Sequence, residues 1–416
     1  MVPLSALLFR SSPGPNHPRS WGGRLLRAPA GQTPMSVILT GVILAGVLMA
    51  ALGLAPPDAP AAESLRIGFV LGLSGLAAPE ESDIQNGAVL AVEEHNAATG
   101  PDDPTITLTF HDTKNTPIGA KVAAEEAVFA GADLLLAPAY SSQTLEAART
   151  AQDLGVPLIS VIATHPDIAA VGDRVFSVCF DDHAQARAMA AFAHTTLGAG
   201  TAVILVDLTS AYGLAMAGAF RERFTALGGR IVAEIPYKMR QRNFDQQLRQ
   251  VAEARSDVLF MPGYWVDGAV MVKRLEAFGI TAVPLGGDGW GSWMFESRRG
   301  DSPRRGYYTD HWAAFMADEA SVRFTKAYAR RFGHAPVAGS ALAYDAVGVA
   351  VLAAKRAGSA RPEDLTSALA SIRDFPGITG SITFQAGGKA QKDIHIMEIA
   401  NGKARLLQTI TPHEAP

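Results

Sequence analysis

Arg66-Ile67-Gly68-Phe69-Val70-Leu71 is a short, mainly apolar run, and its reading decides how the rest of the chain is understood. The run has the length of a buried strand. After it, Ile84, Ala88, Ala91 and Val92 fall on one face of a helix. Strand followed by helix is the repeating unit of a parallel sheet. Working outward, the unit recurs. Ile106, Leu108 and Phe110 alternate as a strand does, Pro117 stands where a first helical turn tolerates it, and Gly131 stands where that helix should stop. Asp133-Leu134-Leu135-Leu136-Ala137 has the continuous apolar character of a strand covered on both faces. Gly155 ends the next helix, and residues 156–161 make a further strand.

The pattern restarts at Thr201-Ala202-Val203-Ile204-Leu205-Val206. Strands are expected over 230–235, 257–261 and 282–285, with helices over 244–255 and 267–278. Two such series imply an α/β chain of two lobes, each a parallel sheet with helices on both faces. The 416 residues, 48% of them hydrophobic and 18% charged, are enough for two cores. The net charge of −4 offers no basic field for phosphates, so nucleic acid is not expected as a partner. A single cysteine, Cys179, excludes an intramolecular disulfide and a multi-cysteine metal site. It lies in the apolar run Val175-Phe176-Ser177-Val178-Cys179-Phe180 and reads as a buried, inert thiol.

Residues 1–62 read as a separate object. Arg10, Arg19, Arg24 and Arg27 precede an uncharged apolar run over 37–55, and Pro60-Ala61-Ala62 follows. Basic, apolar, then small is the layout of a secretory signal cleaved near Ala61 or Ala62. The run is also long enough to anchor the chain in a membrane. Met35 is an alternative start. The remaining domain is expected to begin near Glu63 and to work outside the cytoplasm.

Ligands of open parallel sheets bind beyond the carboxyl ends of the strands, so polar and aromatic residues there are the candidates. Tyr140-Ser141-Ser142 follows the strand ending at Ala137, and Thr164 follows the strand containing Ile159. In the second series Tyr212, Tyr264 and Asp288 stand in the corresponding places. Each has a plainer reading. Ser141, Ser142 and Thr164 are of the type that caps helices or turns, tyrosines are often half-buried surface groups, and Asp288 sits between glycines as a turn aspartate does.

The chain from Leu65 to Leu407 closely resembles the branched-chain amino-acid-binding family of type I periplasmic binding proteins. The resemblance rests on Ile67-Gly68-Phe69-Val70-Leu71-Gly72-Leu73-Ser74-Gly75, Asn86-Gly87-Ala88, Tyr140-Ser141-Ser142-Gln143-Thr144 and the segment from Gly155 to Thr164. It continues through Ala211-Tyr212-Gly213, Phe244-Asp245, Pro262-Gly263-Tyr264, Gly286-Gly287-Asp288-Gly289 and Gly380-Ser381-Ile382-Thr383-Phe384. It implies the type I periplasmic binding protein fold, with two Rossmann-like three-layer lobes joined by a three-stranded hinge. Lobe one would be 65–181 plus 310–392, and lobe two 182–309 plus 393–416. By the same resemblance Ser141 holds a ligand α-carboxylate, Thr164 and the carbonyl of Ile162 hold its polar end, Asp288 pairs with an α-ammonium, and Tyr212 and Tyr264 close from the second lobe. Tyr140 and Ser142 flank the serine.

Three positions depart from the family pattern. Glu80 stands where a tyrosine is frequent, Ile162 replaces a small residue, and Gly339 falls near a position that often carries an aromatic. Trp265 and Trp290 are expected beside the cleft. The resemblance implies a periplasmic, monomeric solute-binding component that closes on a small-molecule ligand and meets the permease subunits of an ABC importer, with no cofactor and no catalysis. The alternative is a sensor of amides, urea, or aromatic or short-chain carboxylates that regulates a partner. No Gly-x4-Gly-Lys-Ser/Thr loop is present, so the ATPase would be another chain.

Overall fold

The computed structural model describes residues 64–411 apart from 76, 101–102, 138, 301–304 and 402. The basic and apolar N-terminal segment, and the export signal expected there, lie outside the described residues.

The first series runs β1 (Leu65–Leu71), α1 (Ala78–Ala98), β2 (Ile106–Asp112), α2 (Pro117–Phe129), β3 (Leu134–Ala137), α3 (Ser141–Asp153), β4 (Leu158–Ser160), α4 (Asp167–Ala170) and β5 (Val175–Ser177). The second runs α5 (Asp182–Ala191), β6 (Thr201–Asp207), α6 (Ala211–Ala226), β7 (Arg230–Tyr237), α7 (Asp245–Ala254), β8 (Val258–Phe260), α8 (Trp265–Arg274), β9 (Val283–Gly286), α9 (Trp293–Arg299) and β10 (Gly306–Asp310). Then come α10 (Glu319–Phe332), α11 (Ala338–Ala357), α12 (Pro362–Ala370), β11 (Phe375–Gly377), β12 (Gly380–Phe384), β13 (Ala390–Gln391), β14 (Ile394–Ala400) and β15 (Lys403–Ile410).

Local signals set many of these boundaries. Pro117 opens α2, the Thr116 hydroxyl accepts from the Gly119 N–H at 2.9 Å, and Gly131 leaves the helix at φ +91°. The first sheet has the order β2-β1-β3-β4-β5, with every pair parallel. In the second, β7-β6-β8-β9-β10 repeats that order in parallel, and β14 and β15 extend it antiparallel. The two series therefore share one topology, as their matching patterns suggest.

Each sheet is covered on both faces. Ile67, Phe69, Leu134 and Ile159 pack with Ile84 of α1 and with Leu342, Val349 and Ala350 of α11. On the opposite face Val70, Leu135 and Leu158 meet Ala123, Ala127, Ala147 and Ala151 of α2 and α3. By length and composition α11 is apolar enough to cross a membrane, but 78% of its most apolar stretch is buried within the protein. Its approach to α1 is close. A Cβ placed on Gly87 would lie 2.0 Å from the Ser340 carbonyl oxygen, and the Ser340 hydroxyl donates to the Asp83 carbonyl at 2.9 Å. Gly87→Ala is expected to cost about 1–3 kcal/mol through this overlap. A urea midpoint that falls at unchanged m would register the loss, whereas an unmoved midpoint would mean the helices yield freely.

The chain passes between the sheets three times, after β5, after β10 and between β13 and β14. The passages lie side by side. The Phe180 ring stacks on His311 with centroids 3.7 Å apart, and Phe180 also packs with Ile394. Cys179, beside them, is buried, its thiol donates to the Ala163 carbonyl at 3.4 Å, and burial pushes its pKa up to about 12.

Candidate functional site

In both sheets the strand order reverses at one place, between β1 and β3 and between β6 and β8. The crevice beyond the strand ends at such a point is where open α/β sheets bind ligands. The segment after β1 leads to Glu80, and that after β3 carries Tyr140 and Ser141. The segment after β6 carries Ser210 and Tyr212, and that after β8 carries Tyr264 and Trp265.

These residues meet across the crevice. The Tyr140 and Tyr264 rings lie 4.6 Å apart at 60°, and Tyr264 stacks on Tyr212 at 5.0 Å and 25°. The Glu80 carboxylate accepts from Tyr140 Oη at 3.2 Å and from Trp265 Nε1 at 2.8 Å, joining the two sheet systems through one oxygen. The Tyr264 hydroxyl hydrogen-bonds the backbone N–H of Ser141 and the side chain of Ser210. Ser141 is the first residue of α3, and Tyr140 is its N-cap without a capping side chain. Neither serine caps the helix, and the Ser141 N–H meets the crevice through Tyr264, at a helix terminus whose positive end favours an anion.

A second set of contacts lies beside the tyrosines. Fully buried Gln185 donates from Nε2 to Asp288 Oδ1 at 2.8 Å and to Asp182 Oδ1 at 3.2 Å. Its Oε1 accepts from the Asp288 N–H at 3.2 Å and from the Thr309 hydroxyl at 2.6 Å. His311 Nε2 lies 3.2 Å from Asp288 Oδ2. Burial holds the pKa of His311 below its ordinary value, so the neutral ring donates through Nε2 while its Nδ1 is left without a hydrogen-bond partner. The Tyr212 hydroxyl bonds Asp288 and accepts from the Gly289 N–H at 3.3 Å. The Asp182 N–H donates to the Thr164 carbonyl at 2.8 Å, and the Thr164 side chain bonds the Asp182 carboxyl.

The charge in this site is one-sided. Asp182 is fully buried and its Oδ2 has no hydrogen-bond partner. Burial, then the neighbouring charge of Asp288, raises its pKa well above the carboxylate range. Among the described residues no lysine or arginine pairs with Glu80, Asp182 or Asp288.

Part of the Glu80 side chain reaches solvent, yet its carboxyl is enclosed. Burial first, against the hydrogen bonds from Trp265 and Tyr140, raises its pKa to about 7. In the unfolded chain the group returns to the ordinary value of 4.5. A raised value means the folded state is favoured when Glu80 is protonated, and the advantage fades as pH rises from about 4.5 to 7. The melting temperature of the protein relative to Glu80→Gln is therefore expected to fall between pH 5 and pH 8. A difference that stays flat or rises would remove Glu80 from the account.

The sequence candidates separate into three groups. Tyr140, Ser141, Tyr212 and Tyr264 come together at the switch points, and Thr164 and Asp288 join through Asp182 and Gln185. Ser142 is half-buried on the first turn of α3. Ile162 packs against the first core. With Ile84 it fills the space beside Gly339, where an added Cβ would lie 3.3 Å from Ile162 Cδ1 and 2.7 Å from Ile84 Cγ1. The absent aromatic at 339 and the larger residue at 162 thus compensate. Trp265 reaches the crevice, but Trp290 does not. It is 1% exposed, stacks on Phe295 at 4.6 Å and covers Gly268 and Gly286, because those two glycines leave room for its ring in the core. Asp182, Gln185 and His311 escaped the sequence reading. Asp182 and Gln185 are one helical turn apart, which is a weak signal on its own.

The model of a family described as periplasmic binding proteins matches residues 64–404. The chain belongs to that family. It is a substrate-binding protein of the ABC-transporter type, with branched-chain amino-acid-binding homologues, in a family that is not enzymatic. The binding protein is 25% identical over 348 residues to the Leu/Ile/Val-binding protein BraC3 of Rhizobium johnstonii, across 83% of this chain and 93% of that one. It is similar in structure to the branched-chain amino acid transporter substrate-binding protein LivJ of Streptococcus pneumoniae in complex with isoleucine. That likeness has a TM-score of 0.78 at 28% identity and covers 84% of this chain and 100% of that one. A solute-binding protein of an R. palustris ABC transporter, in complex with benzoate, is similar with a TM-score of 0.76 at 21% identity, over 84% of this chain and 97% of that one. Members of the family are periplasmic, bind small molecules and interact with permease components.

Proposed function

We propose that this binding protein captures an amino acid, or a related solute bearing an ammonium group, between its two sheets and presents it to the permease of an ABC importer. The carrying observation is the buried Asp182 with an unpartnered Oδ2 beside Asp288, with no lysine or arginine among the described residues paired to either. Burial beside Asp288 keeps Asp182 protonated in the free protein, and a ligand ammonium would offset the cost of a second carboxylate with charge-assisted hydrogen bonds. The ligand carboxylate would take the Ser141 N–H now bonded to the Tyr264 hydroxyl. Thr164, Ser142, Tyr140 and the Ile162 carbonyl complete the polar end, and Tyr212 and Tyr264 close over it. An aromatic acid such as benzoate brings a carboxylate without an ammonium, which sets like charges together near Asp182 and Asp288.

In this reading 65–181 with 310–392 moves as one lobe against 182–309 with 393–416, and the ligand selects the closed state by touching both. The protein works as a monomer in the periplasm after export through residues 1–62. A thermal-shift series tests the ligand class, since a molecule that binds the native state alone raises the melting temperature. Neutral zwitterionic amino acids are expected to give the largest shifts. Shifts from benzoate or hydroxybenzoates alone would overturn the ammonium assignment and leave the receptor role standing.

A further inference from the structure

A cavity of about 300 Å³ lies against the strand passages and not between the tyrosines. Its walls come from the segment after β4, from 177–181, from α5 and from the segment of β13 and β14. Thr164 borders it from the ligand site, whereas Tyr140, Ser141, Tyr212, Tyr264 and Asp288 take no part in its walls. Three cationic side chains line it, Arg187, Lys389 and Lys392, with Asp181 as the one carboxylate. Asp181 is already committed. Its Oδ1 caps α5 by accepting from the Ala184 N–H at 2.9 Å, and its Oδ2 meets Lys389 Nζ at 3.1 Å. Lys392 is 5% exposed and donates to the Thr379 hydroxyl, which in turn donates to the buried Asp345 carboxyl at 2.6 Å, so its charge is met in part from the side away from the cavity. Arg187 makes no hydrogen bond or ion pair among the described residues. His165 accepts from the Asp167 N–H through Nδ1 at 3.2 Å, which leaves its Nε2 as a further donor.

A cavity of this size with an unpaired guanidinium and a nearly buried ammonium is suited to a small anion. Arginine offers a planar fork matched to carboxylate or phosphate oxygens, and a buried ammonium is stabilised by any anion that reaches it. We propose that this cavity is a second ligand site, binding a small oxyanion through Arg187, Lys389 and Lys392. Carboxylate and phosphate share the recognising chemistry. An anion held there ties the first passage, through 177–181, to the third, through 389–394. That consequence for closure rests on the two-lobe reading proposed above, whereas binding of the anion itself does not.

The test is calorimetric titration of the purified protein with inorganic phosphate and, separately, with succinate, at fixed ionic strength and pH 7. At least one is expected to bind saturably with a dissociation constant below about 1 mM. Arg187→Ser and Lys389→Gln are each expected to weaken it about tenfold or more, in line with the loss of a charged contact. Arg187 is exposed, so its variant should fold normally and decides the matter even if a Lys392 variant does not fold. Phosphate binding without succinate binding would assign the site to phosphate, and the reverse to carboxylates. Absence of saturable heat from both, or undiminished binding by Arg187→Ser, would overturn the site. So would loss of anion binding in Tyr264→Ala, because Tyr264 stands in the ligand crevice and takes no part in this cavity.

Discussion

Asp288→Asn is expected to lower affinity for the best amino-acid ligand about a hundredfold or more, corresponding to roughly 3 kcal/mol for removing one partner of an enclosed charge pair. The substitution isolates the charge. Asparagine keeps an oxygen to accept from Gln185 Nε2, now 2.8 Å from Asp288 Oδ1. It can donate to His311, whose neutral ring is able to present Nε2 as an acceptor and move its proton to the unpartnered Nδ1. The hydrogen-bond frame is thus preserved and the melting temperature of the free protein should change by only a few degrees. Calorimetric titration supplies both numbers. Affinity unchanged within a factor of about three would mean that Asp288 does not meet an ammonium, and Asp182 would then be the remaining candidate.

Tyr264→Ala is the second large effect. Tyr264 touches both Tyr140 and Tyr212, and its hydroxyl joins Ser141 to Ser210. Truncating such an aromatic at the centre of a binding surface typically costs about 2–4 kcal/mol, so ligand affinity should fall about 30-fold to 1,000-fold. Tyr264→Phe retains the ring and releases the Ser141 N–H, and its loss should stay below about tenfold. If the alanine variant instead binds more tightly than the parent, Tyr264 is a competitor for the Ser141 N–H and not a wall of the closed site.

Much of this molecule is legible from local pattern. The alternation around Ile67 and Leu134 marks strands because a strand covered on both faces must be apolar throughout, and the helix-period residues after each strand must cover it. Pro117 and Gly131 set the ends of one helix through backbone geometry that is local by nature. Residues at strand ends can be named for the same reason, which is how Tyr140, Ser141, Thr164, Tyr212, Tyr264 and Asp288 stand out in an unfolded string of letters. The helix α11 is harder to see. It is buried on nearly every side, so its sequence carries no polar face to define a period.

What the string could not give is the meeting of distant groups. Glu80 reaches Trp265 across 185 positions, and Gln185 reaches Asp288 across 103. No periodicity connects such pairs, because they are joined by the order of strands in two sheets and by three passages of the chain between them. The same packing put Trp290 into the core over Gly268 and Gly286 and left an unpartnered carboxyl oxygen on Asp182. The sequence by itself determined the fold class and the strand ends at which ligand chemistry had to be sought, since both follow from local hydrophobic spacing. Only the tertiary structure decided that the crevice is acidic and closed by aromatics from both sides, since burial and electrostatic pairing depend on neighbours that sequence distance does not reveal.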